Sequence, residues 1–394
     1  MATKKLLKNR VWDRAVKVEE NHYYWRGFPL IDKRRFPQSV NYKVIELFCG
    51  CGGTSKGFEM AGFDIVLGAD IHLPSTRTFF LNHKDATVVL GDLRKIKALE
   101  IEDLLGGHKV DVTIAGVPCQ GFSLNNRKRF AGDERNFLFR EYIRFVRVLQ
   151  PKVVVLENVS GMNSTANGAF VEAIEEEIRS AGYPRVSHKM LNAADFGVPQ
   201  SRQRLVFVAT KEGIDFEWPK ETHGPSGKQA YVTVQDAIGD LPSVENGQEV
   251  TKYMHPPKSE YQIMMRAKTK VLANHKAPNH PQSTVEKIAG TKQGQSMYPQ
   301  FRQRIRLAWN KPSPTQVSGG IRPQFQFGHP DQARGLTIRE RLRIQSFPDD
   351  FVVEGGIVQG RVQTGNAVPP LLAKAIALKI KSALNKQKEG AKNV

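Results

Sequence analysis

The feature that most constrains the fold is a series of short apolar runs, four of which end in a glycine, an acidic residue or a Glu-Asn pair. The runs are KVIELF, DIVLGAD, ATVVLGD, VDVTIAG, PKVVVLENV and RLVFVAT. Between some of them lie helical patterns such as FLFREYIRFVRVLQ and FVEAIEEEIRSAG. Continuous apolar strands that alternate with helices predict an α/β fold with a parallel, doubly wound sheet. Ligands of such sheets bind at the carboxyl ends of the strands, and the polar residues fall at those ends here.

Charge and cysteine content narrow the class of protein. The 58 Lys and Arg residues exceed the 39 Asp and Glu residues, which gives a net charge of +19. An excess this large favours a polyanionic partner, most simply nucleic acid, although a basic soluble protein without such a partner is the alternative. Three cysteines exclude a fully paired disulfide framework and indicate a reducing compartment. Cys49 and Cys51 lack a second ligand pair nearby, so no metal site is predicted.

The chain shows no apolar run of membrane-spanning length, and its basic N-terminus has no apolar segment behind it, so neither a membrane protein nor a secretory signal is predicted.

Residues 1–40 are basic and interleaved with aromatics, which fits either an arm on nucleic acid or a loosely packed tail. Residues from 216 onward are rich in Pro, Gly, Gln, Lys and His and predict a smaller, irregular domain. Two helical patterns follow later in the chain, TIRERLRIQSF and PPLLAKAIALKIKSAL. In the first, Thr337 is placed to cap the helix, with Glu340 three residues after it. We therefore predict four segments: a basic extension 1–40, a catalytic domain 41–215, a smaller domain 216–350, and a segment 351–394 that returns to the catalytic domain.

A glycine-rich turn follows the first apolar run and opens a helix. It contains Phe48, Gly50, Gly52 and Gly53. Glycines there allow a ligand to approach the backbone, and the helix N-terminus offers free N–H groups. Asp70 and Asp92 close the next two strands, where acids bind ribose or an adenine amine. The set predicts a site for an adenosine-containing cofactor, with a plain tight turn as the alternative; the spacing G-x-G-G does not favour a dinucleotide.

Cys119 stands at the carboxyl end of a fourth apolar run, in GVPCQGFSLNNRKR, beside a basic loop. A free cysteine is most often buried and inert, but a position at a strand exit next to positive charge favours a nucleophilic thiolate. Glu157 closes the next strand, where it either caps a turn or faces the ligand crevice. If the segment that contains Arg202 and Arg204 is extended, both side chains lie on the same face of the strand. They are then either a pair in the functional site or a pair of basic residues in solvent.

Eight segments of the chain occur in the order found in one enzyme family. They are ELFCGCGGTSKGF, GAD, GDL, GVPCQGFS, LENV, QSRQR, RERLRIQSFPDDF and QTGNAVPP. On these segments, from Lys43 to Pro370, the sequence resembles the DNA cytosine-C5 methyltransferases. The resemblance implies a Rossmann-like fold that uses S-adenosylmethionine, with the irregular stretch as a target recognition domain.

The resemblance also implies catalytic roles. Cys119 would attack C6 of a cytosine flipped out of double-stranded DNA, and Glu157 would contact N3 and the exocyclic amine. Arg204 would hold the O2 atom of the base, and Arg202 would help to position the base or the loop. C5 would then accept the methyl group, a base would remove the C5 proton, and Cys119 would leave.

Binding residues follow from the same resemblance. The cofactor residues would be Phe48, Gly50, Gly52, Gly53, Asp70, Ile71, Asp92, Leu93, Pro118, Leu138, Asn366 and Val368. The DNA-binding residues would be Ser123, Arg127, Lys128, Arg129, Arg302 and Arg304. Arg302, Arg304 and Arg306 are as compatible with solvent-facing charge as with DNA contact.

The family and its organisation predict a bacterial modification enzyme of the cytoplasm and nucleoid, monomeric, with a restriction endonuclease acting on the same site. Two alternatives stay open at this point. A tRNA-methylating member of the family would carry a Cys-Phe-Thr signature, which this sequence lacks. A non-catalytic DNA-binding relative would lack the cysteine or the glutamate, and both are present.

Overall fold

The computed structural model describes residues 16–19, 22–25, 28–31, 39–106, 108–117, 138–159, 168–267, 269–318 and 326–390, with side chains from residue 39 onward. Ten strands in these ranges form one sheet. They are β1 (Val16–Glu19), β2 (His22–Trp25), β3 (Phe28–Ile31), β4 (Lys43–Leu47), β5 (Asp64–Asp70), β6 (Thr87–Leu90), β7 (Val112–Gly116), β8 (Val153–Val159), β9 (Arg185–Asn192) and β10 (Gln203–Thr210).

The order of the strands is β1-β2-β3-β6-β5-β4-β7-β8-β10-β9. The five strands from β6 to β8 run parallel to one another. From β4 the chain first builds outward on one side, through β5 and β6, and then crosses to the other side for β7 and β8. The ends of β4 and β7 therefore flank a topological switch point, the place where open α/β sheets bind ligands.

Burial explains why the parallel strands are continuous apolar runs rather than alternating ones. All five residues of β4 are buried, as are five of the seven residues of β5. Helices cover such sheets on both faces, so neither side of the strand meets water. One helix, from Leu138 to Leu149, turns Phe139, Tyr142, Ile143, Phe145 and Val146 into this core. The Tyr142 hydroxyl lies 2.8 Å from Thr113 Oγ1 and donates to Val155 O at 3.0 Å, which satisfies it inside the core.

The described residues contain eleven helices, which include the predicted ones after the glycine-rich turn and in FLFREYIRFVRVLQ, FVEAIEEEIRSAG, TIRERLRIQSF and PPLLAKAIALKIKSAL. They are α1 (Gly53–Met60), α2 (Leu73–Asn82), α3 (Ala98–Leu104), α4 (Leu138–Leu149), α5 (Ala169–Ser180), α6 (Val234–Ile238), α7 (Glu260–Arg266), α8 (Gln282–Ala289), α9 (Ile338–Ile344), α10 (Gly356–Asn366) and α11 (Pro370–Gly390). The predicted cap of α9 is confirmed: Thr337 Oγ1 accepts from Glu340 N at 3.1 Å, and Thr337 N donates to Glu340 Oε2 at 2.7 Å. Within the described ranges, no helix has both the length and the apolar character needed to cross a bilayer.

The sheet is mixed, whereas the apolar runs predicted a parallel one. β10 pairs antiparallel with β8, from Arg204 opposite Val159 to Thr210 opposite Val153. β9 was not predicted because most of its residues are partly or fully exposed and show no apolar alternation. Residues 16–19, 22–25 and 28–31 of the N-terminal extension are strands rather than a loosely packed tail, and the nucleic-acid arm stays a prediction. They form an antiparallel three-stranded unit whose last strand pairs with β6, Leu30 opposite Val89.

The chain divides into two compact units. One contains residues 1–191, 203–219 and 373–394, and the other contains residues 192–202 and 220–372. The four-segment division at residues 40, 215 and 350 stays a prediction beside this one.

The second unit buries an unusual amount of charge around α9. The Arg334 guanidinium donates to both carboxylate oxygens of Glu340, and Arg343 donates to both oxygens of Asp349. Burial alone would raise the pKa of Glu340, but Arg334 holds that pKa well below its ordinary value. Buried charges of this kind persist only when each is paired and hydrogen-bonded, so this helix depends on its ion pairs.

Candidate active site

The glycine-rich turn after β4 is built from residues in the left-handed region. Phe48, Gly50 and Gly52 have φ values of 56°, 52° and 90°. A side chain at Gly50 would meet no atom within 4 Å, so its backbone faces open space. A side chain at Gly52 would overlap His83, with its Cβ 2.3 Å from Nε2 of that residue. Gly52 is therefore fixed by packing as well as by its φ angle, and Gly53 begins α1 directly after it.

Asp70, at the end of β5, ties this turn to the neighbouring strand. Its Oδ2 accepts from Gly50 N at 2.9 Å and its Oδ1 accepts from His72 N at 2.8 Å. Burial raises the pKa of the Asp70 carboxyl, while the two backbone donors favour its ionised form. A carboxylate oxygen can accept a second hydrogen bond, so Asp70 keeps acceptor capacity for a ligand. Ile71 beside it is 66% exposed and offers an apolar surface next to that carboxylate.

The end of β6 holds a different arrangement. Asp92 accepts hydrogen bonds from the backbone N, Nε and Nη2 of Arg94, at 2.7 to 3.1 Å. These bonds lower the pKa of the Asp92 carboxyl. Leu93 is buried in the core of the first unit rather than presented to a ligand. The cofactor roles of Asp92 and Leu93 stay predictions. The sequence did not indicate that Arg94 binds the Asp92 carboxylate and would compete with a ligand for it.

Glu157 and Arg204 form an ion pair at the carboxyl end of β8. Arg204 Nε lies 2.7 Å from Glu157 Oε1, and Arg204 Nη1 donates to Gln203 O at 2.7 Å. Both side chains are nearly buried, 13% and 11% exposed. Burial lowers the pKa of Arg204, and the adjacent carboxylate opposes that shift. The antiparallel β8–β10 pairing brings these residues together, which explains how positions 47 residues apart make one site.

Three strand ends converge on this ion pair. Glu157 lies opposite Gly116 in the parallel β7–β8 register. A Cβ at Gly116 would lie 3.6 Å from Glu157 Oε2 and 3.7 Å from Phe48 O. The glycine-rich turn and the Glu157 carboxylate are thus neighbours, and the absence of a side chain at Gly116 leaves space between them. Cys119 follows Gly116 by three positions in the sequence.

Several predicted site residues lie outside the described residues. They are Pro118, Cys119, Ser123, Arg127, Lys128 and Arg129. The described chain ends before them at Val117 and resumes at Leu138, which is half-buried at the start of α4.

The remaining predicted residues belong to the second unit. Arg202 is fully buried and donates to Gln316 O and Gly365 O, both at 2.8 Å, so it binds backbone on both sides. Next to Gly365, Asn366 is exposed and Val368 is buried. This arrangement suits the positioning role predicted for Arg202, since its guanidinium holds the segment that carries Asn366.

The arginines of the irregular stretch divide into two kinds. Arg302 is exposed, and the Arg304 guanidinium lies 4.4 Å from the ring centre of Phe301. Arg306 instead donates to the carbonyls of Ala289 and Thr291 at the end of α8. Arg306 is half-buried and its charge stabilises a helix C-terminus, and the expectations of DNA contact and of solvent exposure stay untested for it.

Glu46 is a buried acid that sequence reasoning passed over, although a charged residue inside an apolar strand was the available signal. Its Oε2 accepts from Ser55 N at 3.0 Å and from the Ser55 hydroxyl, which anchors α1 to β4 just below the cofactor turn. Burial raises the pKa of Glu46 to about 7, although the hydrogen bonds from Ser55 oppose that shift.

We expect Glu46→Gln to be more stable than the parent at pH 8 and equally stable near pH 4.5. Between pH 4.5 and pH 7 the native state holds a proton that the unfolded state has lost, so the parent loses stability as the pH rises through this window to the native pKa of about 7. The loss amounts to about 3 kcal/mol in unfolding free energy. Denaturant unfolding of both proteins from pH 4.5 to 8 measures it, with the exposed Glu176→Gln as control. Parallel pH curves for parent and Glu46→Gln would contradict the assignment.

Comparison with known proteins gives this geometry its context. The profile of the C-5 cytosine-specific DNA methylase family matches residues 42–382. The type II methyltransferase M1.HphI of Haemophilus parahaemolyticus is 39% identical over 373 residues, which cover 90% of this chain and 92% of that protein. The type II methyltransferase M.DdeI of Desulfomicrobium norvegicum is 36% identical over 370 residues, which cover 86% and 88%.

A solved structure agrees with the sequence relatives. A chain described as a DNA modification methyltransferase encoded within an Escherichia coli prophage superposes with a TM-score of 0.75 at 26% identity. The match covers 88% of this chain and 100% of that one. The Rossmann-like sheet, the extent of the family match and the identity to relatives over most of their length agree. The chain therefore belongs to the C-5 cytosine-specific DNA methylase family and is a DNA (cytosine-5-)-methyltransferase.

Proposed function

We propose that this enzyme methylates C5 of a cytosine flipped out of double-stranded DNA at a specific sequence, with S-adenosylmethionine as the methyl donor. We further propose that it acts as a monomer alongside a restriction endonuclease of the same specificity. The single observation that carries the catalytic proposal is the Glu157–Arg204 ion pair, 2.7 Å long, at the strand end beside Gly116. The restriction context is supported by relatives that are named type II methyltransferases.

The residues around the glycine-rich turn fit an adenosine-containing donor. The backbone at Gly50 faces open space, the half-buried Asp70 carboxylate has remaining acceptor capacity, and Ile71 exposes an apolar surface beside it. Asp70 would accept hydrogen bonds from ribose hydroxyls, and Ile71 would lie against the adenine ring. When bound, the donor supplies an electrophilic methyl group on a sulfonium centre. The other proposed contacts are Phe48, Gly52, Gly53, Asp92, Leu93, Pro118, Leu138, Asn366 and Val368.

The chemistry assigned to the protein is nucleophilic catalysis. C5 of cytosine is a poor nucleophile, and addition of the Cys119 thiolate to C6 makes C5 an enamine-like carbon that can take the methyl group. Glu157 would bind N3 and the exocyclic amine and withdraw electron density from the ring as the sulfur adds. A base then takes the C5 proton, the electrons of that C–H bond restore the ring double bond, and the C6–S bond breaks.

The Glu157–Arg204 ion pair suggests how the carboxylate is oriented. Arg204 Nε holds one carboxylate oxygen, Oε1, and the other, Oε2, would lie 3.6 Å from a Cβ at Gly116. Arg204 would thus position Glu157 in addition to contacting O2 of the base. Arg202 would act at longer range by holding the Gly365 backbone.

DNA recognition is assigned to two groups of residues. Ser123, Arg127, Lys128 and Arg129 follow the nucleophile in the sequence and would close over the flipped base. Arg302 and Arg304 lie in the irregular stretch, within the proposed recognition domain of residues 216–350. The net charge of +19 supports a polyanionic substrate for this surface.

We expect the purified enzyme to transfer a labelled methyl group from S-adenosylmethionine to duplex DNA and not to tRNA. In cells that express it, methylated cytosines should occur at one short recurring sequence. Sequencing that distinguishes 5-methylcytosine gives the activity, the base and the recognition site together. Label found only in tRNA would contradict the DNA assignment, and methylation scattered over unrelated sequences would contradict site specificity.

A further inference from the structure

We propose that His83 is a positioning residue for methyl-donor binding, because it holds the glycine-rich turn through the carbonyl of Gly52. The inference rests on the proposed donor site at that turn. His83 follows the last residue of α2, and its side chain is fully buried between the turn and α1.

The imidazole bridges two acceptors. Its Nδ1 lies 2.7 Å from Glu59 Oε1 on α1, and its Nε2 lies 3.2 Å from Gly52 O. Each ring nitrogen thus lies next to an acceptor, a carboxylate oxygen on one side and a backbone carbonyl on the other. Glu59 thus orients the ring, and the ring holds the peptide that ends the turn.

Shape reinforces these hydrogen bonds. A Cβ at Gly52 would lie 2.3 Å from His83 Nε2 and 2.8 Å from Phe79 Cδ2, so the two rings occupy the space a side chain would take. The same Phe79 ring would lie 2.4 Å from a Cβ at Gly68 in β5. The rings of Phe79 and His83, whose centres are 4.2 Å apart, therefore pack between the turn at Gly52 and the strand that ends in Asp70.

The packing of these two rings fixes the position of backbone atoms that the methyl donor would contact. Gly52 is the residue before α1, and its carbonyl also accepts from Lys56 N at 2.9 Å. A shift of the Gly52 peptide moves the first N–H groups of α1 and the open backbone at Gly50 together. We therefore expect loss of the hydrogen bond from Nε2 to weaken donor binding without touching the donor directly.

Two substitutions separate the two ring nitrogens. His83→Gln places an amide donor near the position of Nε2 and can keep the hydrogen bond to Gly52 O. His83→Asn places its amide near Nδ1 and can keep only the bond to Glu59. Calorimetric binding of S-adenosylhomocysteine to the full chain, without DNA, measures the effect. We expect His83→Asn to bind about tenfold more weakly, as for loss of one hydrogen bond, and His83→Gln to stay within about threefold of the parent.

A second variant keeps the test decisive if His83→Asn fails to fold. Glu59 is 28% exposed, and Glu59→Ala removes the group that orients the ring without a core substitution. We expect it to weaken binding of S-adenosylhomocysteine several-fold while DNA affinity and melting temperature stay near parental values.

Equal affinities for the parent, both His83 variants and Glu59→Ala would overturn the positioning role while leaving the proposed function intact. Equal losses in His83→Asn and His83→Gln would also overturn it, because the hydrogen bond to Gly52 would then not be the cause. A parent protein that does not bind S-adenosylhomocysteine would overturn the proposed function and this inference together.

Discussion

Replacement of Cys119 by serine is expected to lower methyl transfer by about 10⁴-fold or more, the scale seen when a nucleophile is removed from an enzyme. Serine keeps the size of the side chain, but its hydroxyl ionises far less readily than a thiol, so the C6 adduct no longer forms. Binding of S-adenosylhomocysteine should stay within about twofold, because the proposed donor contacts are elsewhere. Single-turnover transfer of a labelled methyl group to duplex DNA measures the loss.

The same prediction has a structural readout. Duplex DNA with 5-fluorocytosine at the target position should become attached to the parent protein, because fluorine cannot leave C5 as a proton does and the C6–S bond persists. Peptide mapping should place the attachment at Cys119, and Cys119→Ser should give none. Attachment at Cys49 or Cys51 would contradict the assignment; both are buried, and burial raises the pKa of each thiol.

The strand ends could be predicted because their signal is local. β5 was predicted at its observed bounds, from Asp64 to Asp70, since a strand buried on both faces is a continuous apolar run bounded by polar residues. The cap of α9 was predictable for the same reason, because Thr337 and Glu340 are three residues apart. Family resemblance then assigned roles that no local pattern contains, such as attack by Cys119.

What the sequence could not predict depends on distant partners. β9 is largely exposed, so it has no apolar pattern, and its place at the sheet edge comes from pairing with β10. The contact of Asp92 is the exception, because Arg94 is only two residues away, but it depends on a side-chain conformation that no sequence pattern shows. The role proposed for His83 had no signal in the sequence, since it depends on the space left by Gly52, 31 residues earlier.

The antiparallel pairing of β8 and β10 makes Glu157 and Arg204 one unit, and this sets the second large effect. We expect Glu157→Gln to reduce the rate of methyl transfer by about 10² to 10³-fold, the scale of removing one preorganised polar contact to the reacting group. The amide keeps the size of the side chain but reduces its attraction for Arg204 and cannot supply a proton-exchanging carboxyl to N3. Affinity for S-adenosylhomocysteine should be unchanged.

Because Glu157 is paired with Arg204, substitutions at both positions test whether the two side chains act together in catalysis. Arg204→Gln leaves the Glu157 carboxylate, 13% exposed, without the guanidinium that orients it, so it should also lose about 10²-fold. If the two act as a unit, the double variant Glu157→Gln/Arg204→Gln should lose little more than the worse single variant. Single-turnover rates of the parent, the two single variants and the double variant on saturating duplex DNA complete a double-mutant cycle. The exposed Glu176→Gln is the matched control. Losses that multiply in the double variant would show that the two side chains act independently, and a parental rate in Glu157→Gln would remove the carboxylate from the mechanism.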